Sequence, residues 1–133
     1  MKERMIRILM AKMGVGDCEA IIRLSKAFRD AGFEVIYTDT QKPEAIVASA
    51  IQEAVDHIGV TTFPEAVLTD LGKIRKQLNR QGFKGIHITA GGYIAEDEIP
   101  KMKDMGVAEF FNVGTSYQEL IEWAKMNIRP RYS

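Results

Sequence analysis

The stretch Met5-Ile6-Arg7-Ile8-Leu9-Met10-Ala11, the loop Lys12-Met13-Gly14-Val15-Gly16-Asp17-Cys18, a run from Glu19 to Ala31, and Phe33-Glu34-Val35-Ile36-Tyr37-Thr38 together decide the fold. The first and last pieces are apolar runs of strand length, rich in Ile, Val and aromatic residues. Between them, Ala20, Leu24, Ala27 and Phe28 recur at helical spacing, and Gly32 supplies a helix stop. A strand, a helix and a strand in this order make a crossover unit with parallel strands.

The alternation continues outward. Pro43 opens a second helix at its first turn, reaching about Ala54. Asp56–Thr62 reads as a third strand and Pro64–Arg80 as a third helix, ending near Gly82. Lys84–Ala90 is a fourth strand, followed by Gly91-Gly92. A helix over Glu96–Met105 stops at Gly106, Val107–Phe111 is a short fifth strand, and a last helix covers Ser116–Met126. Five strands alternating with five helices predict an α/β, flavodoxin-like (Rossmann-like) parallel sheet, order 2-1-3-4-5, with helices on both faces. One domain is expected over residues 1–133, with 129–133 a flexible tail.

Composition narrows the function classes. Eighteen basic residues balance eighteen acidic ones, so no global field draws in nucleic acid or an anionic membrane. No apolar run is long enough to span a bilayer, and the charged start leads into a strand rather than a signal segment. The single cysteine excludes an internal disulfide and fits a reducing cytoplasm, the expected location.

In sheets of this order, ligands bind beyond the carboxyl ends of the strands, where strands 1 and 3 diverge. That rule selects the loops Lys12–Cys18, Thr61–Glu65, Thr89–Ala95 and Phe111–Ser116. Gly91-Gly92 allows either a tight turn or close approach of a ligand to backbone. Gly114-Thr115-Ser116 combines a glycine with a helix cap, and none of these loops is a Walker A or GxGxxG motif. Asp17 can cap the first helix, and Cys18 has no histidine near it in sequence. His57 reads as a core histidine, and His87, between Ile86 and Ile88, is expected to face a helix. Two separated histidines and one cysteine do not make a zinc site, and no nucleophile–base arrangement stands out. Glu96, Asp97 and Glu98 read as a solvated first helical turn.

Arg7–Val15 and Ala27–Thr38 closely resemble the cobalamin (B12)-binding domain of methylmalonyl-CoA mutase and related acyl-CoA mutases. The resemblance continues through Ile58-Gly59-Val60, Gly91-Gly92, Ile99-Pro100, Met105–Glu109 and Gly114-Thr115. It implies the flavodoxin-like fold and three cofactor motifs. The first is Asp-x-His-x-x-Gly after strand 1, whose His is the lower ligand to cobalt, whose Asp orients that His, and whose Gly makes room for the nucleotide tail. The second is Ser-x-Leu after strand 3, and the third is Gly-Gly after strand 4. Here the first motif is replaced by Gly16-Asp17-Cys18-Glu19-Ala20-Ile21, one residue short between Val15 and Ala27. Registered from the left, Gly16 stands at the Asp, Cys18 at the His and Ile21 at the Gly. Registered from the right, Asp17 stands at the His and Ala20 at the Gly. Neither frame holds a histidine, so no metal ligand is expected beyond the candidates Cys18 and Asp17. Thr61-Thr62-Phe63 stands for Ser-x-Leu, and Gly91-Gly92 is intact.

The resemblance therefore implies a cobalamin contact set of Asp17, Cys18, Thr61, Phe63, Gly91, Gly92, Phe111, Gly114 and Thr115. It implies a stand-alone corrinoid platform serving a separate catalytic subunit, with no complete active site of its own. An acyl-CoA mutase large subunit or a second copy of the chain is the expected partner. The alternative is an interaction or ligand-sensing module that kept the fold without the cofactor. Ile21 at the mouth of the tail site and Glu65 beside the ring would favour that alternative.

Overall fold

The computed structural model describes residues 5–131. The strands are β1 (Arg7–Met13), β2 (Glu34–Tyr37), β3 (His57–Thr62), β4 (His87–Gly92) and β5 (Glu109–Asn112). All pair in parallel in the order β2-β1-β3-β4-β5, as the alternation predicts. The helices are α1 (Glu19–Asp30), α2 (Pro43–Gln52), α3 (Thr69–Arg80), α4 (Ile99–Asp104) and α5 (Tyr117–Asn127).

Several boundaries differ from the sequence reading, each for a local reason. The first strand runs two residues further, to Met13, because Lys12 and Met13 still pair with Thr61 and Thr62. The third helix begins at Thr69 rather than Pro64, since Glu65 adopts φ +72°, which breaks any helix through it. Glu96–Glu98 form a 3₁₀ turn, and the fourth helix starts only at Ile99 with Pro100 in its first turn. Gly91 and Gly92 are the last two residues of β4 rather than a turn after it. Ser116 caps α5 as expected: its Oγ accepts from the Glu119 N–H at 3.1 Å.

Within the segment expected to be a flexible tail, Arg131 makes two contacts. Its N–H donates to Asp56 Oδ1 at 2.7 Å, and its guanidinium lies 5.5 Å from the Phe83 ring. Asp56 also accepts from the Arg7 N–H through Oδ2, at 2.8 Å, so one buried carboxylate joins Arg131 to the start of β1. Residues 132 and 133 of that tail lie outside the described residues, as do 1–4 of the charged start.

Strand alternation sends side chains to two unequal layers. Leu9, Ala11, Ile58, Val60, Ile88 and Ala90 face α2, α3 and α4, in a cluster of seventeen buried residues. Ile8 and Met10 face α1 and α5 in a cluster of only eight. The second layer is thin because β3 and β4 contribute Gly59, Thr61, Thr89 and Gly91 to it, where the other face has Ile, Val and Ala. Little side-chain volume rises from the middle of the sheet, and space remains beneath the two helices.

Candidate cofactor-binding site

That space is a cavity of about 320 Å³ between the sheet and helices α1 and α5. Its sheet wall includes Met10, His57, Gly59, Thr61, Thr89 and Gly91, and its helix walls include Ala20, Leu24, Phe28, Leu120 and Trp123. A Cβ built at Gly59 would meet only Thr89 Oγ1, at 3.9 Å, so the missing side chain is what keeps the middle open. From His57 to Thr61 the wall runs four residues along β3, about 13 Å at the usual strand rise.

The mouth opens at the carboxyl edge, where Thr61, Gly91 and Phe111 are registered neighbours across three strands. In the next row, Thr62, Gly92 and Asn112 are likewise registered. Gly92 has a structural reason of its own. It holds φ +128°, and a Cβ there would collide with the Thr62 carbonyl. Thr62 Oγ1 lies 3.2 Å from the Gly91 carbonyl and 3.3 Å from that of Tyr93, tying β3 to the glycine edge. Gly114 and Thr115 complete the mouth, and Thr115 donates its hydroxyl to the Asn112 carbonyl at 2.7 Å.

Seven of the nine residues singled out from sequence line this cavity: Thr61, Phe63, Gly91, Gly92, Phe111, Gly114 and Thr115. Asp17 and Cys18 do not. Cys18 is the half-buried N-cap residue of α1. Asp17 is exposed, and its Oδ1 accepts from the Glu19 N–H at 3.0 Å, the helix-start role open to it from sequence. The loop that carries them is held from both sides. Gln41 bonds both the N–H and the carbonyl of Gly14, Val15 donates to the Pro64 carbonyl, and the Phe63 ring lies on Gly16, where a Cβ would collide with it.

Both expected obstacles are displaced. Ile21 is turned into the core with Ile8 and Phe28, and Ala20 lines the cavity instead. Glu65 is exposed on its turn, outside the cavity wall. His87 is exposed rather than facing a helix, because it begins β4 beyond the helix cover. His57 is a buried core histidine as read, but it also lines the cavity. Its Nε2 lies 2.9 Å from Thr89 Oγ1 and its ring is 6.1 Å from that of Trp123. Burial pushes its pKa down to about 3, with His87 adding to the shift and Asp56 opposing it, so the ring is neutral. No sequence signal marks His57 as a cavity residue, since the cavity forms only where α5 lies over β3.

Residues 21–121 match the family model for the B12 binding domain. The chain belongs to the B12-binding domain family. It is 35% identical over 133 residues to the 2-hydroxyisobutanoyl-CoA mutase small subunit of Aquincola tertiaricarbonis, covering 98% of each. It is 31% identical over 121 residues to the pivalyl-CoA mutase small subunit of Xanthobacter autotrophicus, covering 90% of this chain and 81% of that protein. The methylmalonyl-CoA mutase large subunit of Propionibacterium freudenreichii subsp. shermanii is 33% identical over 115 residues, 85% of this chain but 16% of that protein. Among solved structures, a cobalamin-binding protein from Desulfitobacterium hafniense shares the fold with a TM-score of 0.75 at 14% identity, over 92% of this chain and 58% of that one. Vibrio cholerae CheY4 shares it with a TM-score of 0.71 at 16% identity, over 92% and 98%. At those identities the structures speak for the fold alone.

The B12-binding domain has no imidazole in the loop after β1; its cavity imidazole, His57, lies at the other end. An open apolar cavity leads to an edge of glycine and threonine, with no side chain at Gly59 to fill it. No group of three or more metal-ligating side chains occurs among the described residues. No helix among them is long and apolar enough to cross a membrane.

Proposed function

We propose that this chain is the corrinoid-carrying small subunit of a two-subunit acyl-CoA mutase. The cavity beneath α1 and α5 carries the reading: it is deep, apolar and continuous with the carboxyl edge of the sheet. It would take the nucleotide tail, while Gly91, Gly92, Gly114 and Thr115 let the corrin ring approach backbone at the mouth. Thr61 offers a hydroxyl at the same level, and Phe63 and Phe111 offer apolar faces. When bound, the cofactor supplies radical chemistry that no protein side chain can. This chain's part is to hold and orient it and to keep water from its tail. The small subunits of Aquincola and Xanthobacter support a separate large subunit as the partner that holds the acyl-CoA substrate.

The test is direct. Purified protein is mixed with hydroxocobalamin or adenosylcobalamin, freed of unbound ligand by gel filtration, and examined for visible corrin absorbance. Retained absorbance near one equivalent is expected, and a colourless protein fraction at saturating ligand sinks the proposal.

A further inference from the structure

The end of the cavity is not apolar like its walls. His57 stands there, two residues below the open position at Gly59, and is joined by hydrogen bond to Thr89, which lies beside Gly59 in register, so the two form a buried polar pair in the lower half of the cavity. Their mutual hydrogen bond leaves chemistry to spare. If the His57 Nε2–H donates, the Thr89 hydroxyl keeps its own proton to give. If Nε2 accepts from Thr89, Oγ1 keeps lone pairs to receive. Thr89 is thus an adaptable donor or acceptor in a cavity whose other deep walls are Ile8, Phe28 and Trp123. Packing does not require such a pair, since Ile88 and Ala90 satisfy the other face with apolar side chains alone. A polar floor under an apolar shaft is how a pocket fixes the identity of the group that reaches its end.

We propose that His57 and Thr89 read the base at the far end of the nucleotide tail, favouring a purine, with its hydrogen-bonding edge, over a methylated benzimidazole. The inference rests on the corrinoid reading above. A dimethylbenzimidazole presents two methyl groups to the floor, and an adenine presents an amino group and a ring nitrogen. Only the second makes a hydrogen bond there.

Trp123 is the chain's single tryptophan and lines the cavity, so its fluorescence reports occupancy without any partner subunit. Three probes are titrated: hydroxocobalamin, the corrinoid carrying adenine in place of dimethylbenzimidazole, and cobinamide, which has no nucleotide. The adenine form is expected to bind with a Kd about three- to tenfold lower than hydroxocobalamin, the effect of one added buried hydrogen bond. His57→Phe and Thr89→Val should abolish that difference and leave cobinamide unchanged, whereas Thr89→Ser should preserve it. If His57→Phe does not fold, the Thr89→Val and Thr89→Ser pair decides. Equal affinities for the two nucleotide forms in the unaltered protein, or a preference that survives Thr89→Val, overturns the inference. Binding of cobinamide as tight as both nucleotide forms also overturns it, since the tail is then not held. Failure of all three probes to bind rejects the corrinoid reading itself, and the base preference with it.

Discussion

Filling the cavity from Gly59 separates binding from stability. The residue sits mid-strand without a positive φ, and a Cβ there has only Thr89 Oγ1 near it, at 3.9 Å. Gly59→Ala therefore adds no clash and removes backbone freedom from the unfolded chain, worth about 0.5–1 kcal/mol. That raises Tm by about 2–4 °C for a domain of this size. Gly59→Leu adds four carbons. At about 30 Å³ each, the volume share of a water, they take about 120 Å³, more than a third of the cavity's 320 Å³. Burying them contributes about 1.5–3 kcal/mol, less about 0.5–1 kcal/mol of rotamer entropy. The leucine variant should thus melt no lower than the unaltered protein by scanning calorimetry, yet lose retained corrin absorbance after gel filtration. Full retention by a folded Gly59→Leu protein would show that the tail does not enter this cavity. A Tm lowered by 5 °C or more in Gly59→Ala (roughly 1–2 kcal/mol) would show that the middle of the cavity is not open, and would refute the geometry.

Three other outcomes follow from the same structure. Gly92→Ala forces a Cβ onto the Thr62 carbonyl at φ +128°, so urea unfolding should show a loss of about 1–3 kcal/mol whether or not a corrinoid is bound; an unchanged midpoint refutes the close approach. His57 is held at about 3, below its ordinary 6.5, so between those values the unfolded chain binds the extra proton and stability falls as pH is lowered. From pH 7 to pH 5 the unaltered protein should lose about 2 kcal/mol more than His57→Phe, at about 1.4 kcal/mol per pH unit below 6.5; matching losses refute the assignment. Asp17 is spent on the start of α1 and neither it nor Cys18 lines the cavity, so Cys18→Ala and Asp17→Ala should leave the visible spectrum of bound corrinoid unchanged. A shifted band in either variant would mean that this loop reaches cobalt.

The sheet order was legible because the switch from strand to helical period repeats five times, and a parallel sheet with right-handed crossovers has few ways to close. The mouth was legible for a different reason. Thr61, Gly91, Phe111 and Gly114 sit at strand ends, and the fold places all strand ends together. Glu65 was misplaced because its turn at φ +72° carries no sequence signal, and Ile21 because sequence gives no direction to a side chain on a helix whose register is ambiguous by one residue. One residue on a helix is a rotation of about 100°, enough to exchange Ala20 and Ile21 between cavity and core. His57 was the deepest omission. Its place in the cavity depends on Trp123, Thr89 and the glycine at 59, which meet only across three elements.

The loop Lys12–Cys18 stands where the resemblance places the histidine motif, and it has its own internal order. It is clamped by Gln41 on one side and by Phe63 and Pro64 on the other. Gly14, at φ +94°, has no room for a side chain between those neighbours, and Gly16 has none beneath the Phe63 ring. A bulky aromatic at position 63 and a glycine at 16 are thus one paired feature: either change alone would leave a clash or a gap. The clamp brings Phe63 to the cavity mouth as an apolar wall. Under the proposed function, affinity that a cobalt–imidazole bond would supply comes instead from the buried tail and the glycine edge. It follows that this domain's hold on a corrinoid should be far more sensitive to Gly59 and to the cavity floor than to any residue of the loop itself.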